Sequence, residues 1–103
     1  MAIIDRFRNI ITVFEVFEVP SSESSSFIKE FSSFIQSDLK GRVGVISYNL
    51  HLNEEEGLLL NYAQWKSDDD YELFFKDEEL KQKRDLYYSK LVKSTRTKVV
   101  FAT

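Results

Sequence analysis

"LLLNYAQWK", residues 58–66, alternates so that Leu59, Asn61, Ala63 and Trp65 share one face, with Leu58, Leu60 and Tyr62 on the other. Both faces are largely apolar, so a strand made from this stretch calls for cover on both sides. One face nevertheless carries an amide and an indole, whose polar hydrogens are costly to bury unpaired. Two readings of that face stand side by side: Asn61 and Trp65 are core residues with satisfied partners, or they line a cavity, for which the small Ala63 leaves room.

Working outward, "VGVISYNLHL" (43–52) reads as a preceding strand, joined through the polar turn "NEEEG" (53–57) as a hairpin. After the stretch, Ser67 with Asp70 three residues on has the capping-box pattern, and Asp68 and Asp69 suit a helix N-terminus. Helical spacing then runs through Tyr71, Phe74 and Phe75. It resumes after "KDEE" in Leu80, Arg84, Tyr87, Tyr88, Leu91 and Val92.

On the N-terminal side, "NIITVFEVFEV" (9–19) is rich in β-branched and aromatic residues and ends at Pro20, the signature of a strand. Its faces are Ile11, Val13, Glu15 and Phe17 against Ile10, Thr12, Phe14 and Val16. "PSSESSS" (20–26) supplies a turn with serines suited to N-capping. Phe27, Ile28, Phe31, Phe34, Ile35 and Leu39 give a helix stopped at Gly41, and "TRTKVVFAT" (95–103) makes a last strand.

The order β-α-β-β-α-β is that of an α+β, ferredoxin-like fold with a four-stranded antiparallel sheet. Its helices cover one face only, while the 58–66 strand is apolar on both. A second copy of the sheet is the economical cover for the open face, which predicts a homodimer through the face opposite the helices. The 103 residues fit a single domain, 1–103, with residues 1–8 as a peripheral N-terminal extension.

Composition narrows the function. With 17 acidic against 14 basic side chains the net charge is −3, which argues against nucleic-acid binding. The chain has no cysteine and one histidine, excluding thiolate chemistry and multi-histidine metal sites. No apolar run approaches the roughly 20 residues of a membrane span. "MAIIDRFRNI" lacks the pattern of a leader, so the expected location is cytoplasmic. The acidic runs match no metal loop, and nucleotide-binding or hydrolase motifs are missing.

Two further residues stand out. Arg84 lies on the inward stripe of the last helix, where it either snorkels or pairs, or faces the cavity and stabilises a ligand's negative charge. Tyr71 either packs with Phe74 and Phe75 or adds a phenol to the same cavity. His51, on a strand face with Ser47 and Asn49, reads as a surface or interface residue.

"GVISYNLHL", a short acidic turn and "LLLNYAQWKS" resemble the core signature of antibiotic biosynthesis monooxygenase domains. The similarity extends from about Ile11 to Phe101, with "NYAQWKS" its specific part. The resemblance implies a ferredoxin-like subunit pairing as a dimeric α/β barrel. It also implies a cofactor-independent monooxygenase that oxidises an electron-rich aromatic small molecule (an anthrone, quinol or polyketide-like phenol) to a quinone, with O2 as co-substrate. In such enzymes the counterparts of Asn61 and Trp65 line the pocket, and Tyr71 and Arg84 align more loosely with further contributors. Heme-degrading relatives add a helical histidine; "SDDDYELFFKDEELKQKRDLYYSK" contains none. A non-catalytic barrel binding heme or an aromatic molecule is the alternative.

Overall fold

The structure is a computed structural model that describes residues 10–101 and 103; the proposed extension 1–8 lies outside the described residues. The strands are β1 (Ile11–Glu18), β2 (Val45–Asn53), β3 (Leu58–Trp65) and β4 (Leu91–Thr97). The helices are α1 (Ser24–Phe34), α2 (Asp68–Lys76) and α3 (Lys81–Tyr88). They form one antiparallel sheet in the order β2-β3-β1-β4, the ferredoxin-like arrangement expected from the sequence.

Register sets the core. β1 pairs with β3 so that Ile11 faces Trp65, Val13 faces Ala63, Glu15 faces Asn61 and Phe17 faces Leu59. All eight are buried, and Phe27, Phe31, Phe34, Tyr71 and Phe74 from the helices pack over that one side. Phe17 meets Phe31 edge-on at 5.3 Å, while Phe31 and Phe34 each stack on Tyr87 at 5.2 Å. Such offset and edge contacts give an aromatic layer specific geometry beyond area burial. Among the described residues the opposite side of the sheet carries no such layer: Phe14 and Leu60 are 46% and 41% exposed, and Phe14 packs edge-on against Tyr62.

Local chemistry departs from expectation at two places. No serine side chain caps α1; the hydroxyls of Ser24 and Ser26, in its first turn, donate to the carbonyls of Ser21 and Glu23 instead. After Phe34 the helix widens into a π turn over Ile35–Leu39, closed by Lys40 N–H to the Ile35 carbonyl at 2.8 Å. The extra residue in that turn brings Leu39 inward rather than Asp38.

The last strand is a correction. Leu91 and Val92 belong to β4 rather than to the helix, and residues 98–101 lie outside the ladder. The helix stops because Ser89 and Lys90 turn back on the Asp85 and Tyr87 carbonyls, and Glu18 N–H then bonds the Lys90 carbonyl. An irregularity in register between Val16 and Phe17 lets Leu91 pair with Phe17.

Candidate active site

Strand alternation points Glu15 and Asn61 toward the helices as cross-strand neighbours. Both are fully buried. The Asn61 amide is keyed from both ends: its Oδ1 accepts from the Asn49 N–H at 3.0 Å, and its Nδ2 donates to Glu15 Oε1 at 2.8 Å. Because the Asn49 backbone group can only donate, this is the amide orientation that satisfies both partners.

Tyr71 reaches the same carboxylate from α2. Ser67 caps that helix by accepting from the Asp70 N–H at 3.1 Å, and Tyr71 sits in the first turn beyond it. Gly44, at the entry to β2, has φ +93° and leaves no space for a side chain: a Cβ there would lie 2.4 Å from the Asp70 Cβ. The close approach packs the start of α2 down on the sheet, and the Tyr71 hydroxyl donates to Glu15 Oε2 at 2.6 Å.

Tyr88 of α3 donates to Glu15 Oε1 at 2.9 Å. Its oxygen lies 2.8 Å from the Tyr48 hydroxyl. A phenol has one hydrogen, so with Tyr88 donating to Glu15 it is Tyr48 that donates to Tyr88. The hydrogen bonds therefore run one way, from Tyr48 through Tyr88 to the carboxylate.

Charge follows from this geometry. Burial pushes the Glu15 carboxyl above its ordinary value, against the opposing pull of Tyr71, Asn61 and Tyr88. Burial, joined by the Glu15 charge, pushes the phenols of Tyr48, Tyr71 and Tyr88 upward. All three stay protonated at neutral pH, leaving Glu15 as the acid of the cluster, whose charged form burial disfavours and the three donors favour.

Trp65 closes one side, edge-on to Tyr71 at 5.3 Å and Tyr48 at 6.2 Å and tilted on Phe74 at 5.6 Å. Its Nε1–H has no acceptor at hydrogen-bond geometry, although it lies near enough to favour an anion at the Tyr48 oxygen. Arg96 of β4 holds its guanidinium 5.0 Å over the Tyr71 ring, itself bonded to Glu72 at 3.1 Å.

The structure thus brings together three of the residues singled out in the sequence: Asn61, Trp65 and Tyr71. Arg84 is buried as anticipated, but its Nη1 donates to the main-chain carbonyls of Phe74 and Asp77 at 2.7 and 3.0 Å. It clamps the end of α2 and adjoins the cluster only through the Phe74 ring. Glu15, Tyr48 and Tyr88 were missed as site residues. The signal for Glu15 was present, a carboxylate flanked by Val13 and Phe17 on an inward strand face.

His51 is exposed near the hairpin. Two surface grooves lie elsewhere. One of about 660 Å³ runs between α1 and α3 past Phe34, Leu86 and Tyr87, and one of about 450 Å³ lies at Glu18–Pro20, Gly57 and Lys90. Among the described residues no His, Asp and Glu side chains cluster as metal ligands, and no helix is long and apolar enough to cross a membrane.

Comparison with solved structures agrees with this architecture. A monooxygenase of Streptomyces coelicolor, solved with the ligand nanaomycin D, superposes with a TM-score of 0.76 at 21% identity, covering 96% of this chain and 94% of that one. A Bordetella bronchiseptica chain named as a candidate antibiotic biosynthesis monooxygenase gives 0.73 at 14% identity, covering 91% and 100%. A conserved protein of Methanosarcina mazei gives 0.70 at 20% identity, covering 90% and 95%. A search of curated proteins gives no match. The family model for antibiotic biosynthesis monooxygenases matches residues 10–85, from the start of β1 into α3 and across every residue of the Glu15–Asn61–Tyr71 contact. The chain belongs to the antibiotic biosynthesis monooxygenase family.

Proposed function

We propose that this protein is a cofactor-independent monooxygenase that oxidises an electron-rich aromatic, such as an anthrone, quinol or polyketide-like phenol, to a quinone with O2. The observation that carries the reading is the meeting of Asn61, Tyr71 and Trp65 around the buried Glu15 carboxylate, within a largely hydrocarbon and aromatic layer. The organic ligand of the Streptomyces coelicolor relative supports small-molecule binding within this fold.

The chemistry asks little of the protein beyond placement and charge. An anthrone carbanion or phenolate passes one electron to O2, and the radical pair joins through a new C–O bond. The resulting peroxide anion takes up a proton, and the hydroperoxide then loses the hydrogen on its carbon as a proton while its O–O bond breaks, leaving a C=O on the ring and releasing water. One oxygen atom enters the product and one leaves as water, with no external reductant.

Asn61 Nδ2 spends one hydrogen on Glu15, leaving its second for a substrate carbonyl or the peroxide. Trp65 positions the ring by stacking, and Tyr71 orients the substrate or relays its proton. Arg84 supports them by fixing the end of α2. Since Glu15, Asn61 and Trp65 are sealed, a ligand arrives by displacing the partly exposed ring of Phe75, which packs edge-on against Tyr71 and Tyr88. We further place a homodimer on the open sheet face around Phe14 and Leu60.

An oxygen-uptake screen over anthrones, naphthols and quinols, followed by quinone absorbance, tests the reading. Turnover by the wild type is expected, with Asn61→Ala lowering kcat on the order of 10²-fold and Trp65→Phe also slowed. No uptake across the screen would overturn it, and tight ligand binding without uptake would instead mark a non-catalytic barrel.

A further inference from the structure

Glu15 is left over by the roles above. A buried carboxylate is expensive, and a hydrocarbon of similar volume often serves a core as well or better. Three donors converge on it, and two of them are phenols able to relay a proton. Tyr71 leads to Oε2, and Tyr48 leads through Tyr88 to Oε1. Each hydroxyl can accept a proton on its oxygen while passing its own inward. The ionisable groups facing Glu15 are Tyr48 from β2, Tyr71 from α2 and Tyr88 from α3, with Arg96 from β4 above the Tyr71 ring.

We propose that Glu15 is the terminal proton acceptor of this site, drawing the phenolic proton of a bound aromatic through Tyr71 or through the Tyr48–Tyr88 pair. The inference rests on the monooxygenase reading and names the group that makes the substrate anion. In the step, the ligand O–H bond breaks and its proton joins the Tyr71 oxygen, while the Tyr71 proton moves to Glu15 Oε2. The ligand keeps the electron pair as a phenolate, and no electrons are transferred between molecules. The stored proton returns when the peroxide collapses, completing the water released. Glu15 does not touch the ligand; it positions the hydroxyls and takes the proton they relay. Its upward displacement by burial brings it nearer to a phenol in basicity and so supports the transfer.

The test is anaerobic, so it reads ionisation without turnover. 1,8-Dihydroxyanthrone, whose neutral and ionised forms absorb differently, is titrated with pH when bound to the wild type and to Glu15→Gln. The wild type is expected to ionise the bound probe below its solution pH, and Glu15→Gln to bind it but ionise it about one pH unit or more higher. Should Glu15→Gln fail to fold by circular dichroism, the Tyr71→Phe, Tyr88→Phe double variant cuts both routes, and the same upward shift is expected. Equal ionisation in wild type and variant overturns the role of Glu15 while leaving the monooxygenase reading intact. A wild type that neither binds the probe nor consumes oxygen with it overturns the anthrone reading and this proposal with it.

Discussion

Glu15 occupies a position where strand alternation asks for a hydrocarbon, and its protonation couples to folding. Its carboxyl is raised from the ordinary value of 4.5. The folded protein therefore holds the proton to a higher pH than the unfolded chain does. The favourable contribution is fully present below the unfolded value and is lost as pH rises through the folded one. We expect the urea midpoint of the wild type to fall relative to Glu15→Gln as pH rises from about 4 to about 8. A wild type that gained on the variant over that range would mean the three donors outweigh burial. Asn61 and Trp65 were legible in the sequence because alternation alone puts them on one face. The approach of Tyr88 to Glu15 was not, because Tyr88 lies 73 positions away and only the packing of α3 brings it there.

At the scale of elements, the apolar periodicities located the four strands and the two helical regions, but the second region is broken at Asp77 into α2 and α3, and other misreadings fall at element ends. Leu91 faces the core whether the chain is helix or strand, so spacing did not reveal that β4 begins there. The decisive feature is the reversal at Ser89–Lys90, which is made of main-chain hydrogen bonds. The π turn was equally hidden, since Phe34 and Leu39 both fit a helical stripe loosely. Gly44 provides a sharper test of how β2 and α2 are joined. Its positive φ and the 2.4 Å approach to Asp70 combine strain with overpacking, so Gly44→Ala is expected to cost about 2–4 kcal/mol. Gly41, with no atom within 4 Å of a built Cβ, should tolerate Ala to within about 0.5 kcal/mol. Denaturant unfolding of the two variants side by side checks the contrast, and activity should fall with Gly44→Ala because Tyr71 rides on the helix it displaces.

For the whole molecule, the sheet has one face sealed by aromatic rings and one bearing Phe14, Val16, Leu60 and Tyr62, over which no helix lies among the described residues. The mismatch visible in residues 58–66 survives folding of the single chain. Leu60→Glu should shift the protein to a monomer in sedimentation analysis if the proposed dimer uses this face, since a charge at the centre of an apolar interface is left unpaired. An unchanged sedimentation coefficient would move the contact elsewhere. The pairing of Glu15 with Asn61 also bears on how the chain finds its fold. A slip of one residue between β1 and β3 would set Glu15 against Leu60 or Tyr62 and turn Asn61 to the far side, stranding a carboxylate without its amide partner. The polar pair thus acts as a key for strand alignment, penalising mispaired sheets during assembly in a chain whose many interchangeable Phe, Val and Leu side chains discriminate poorly between them.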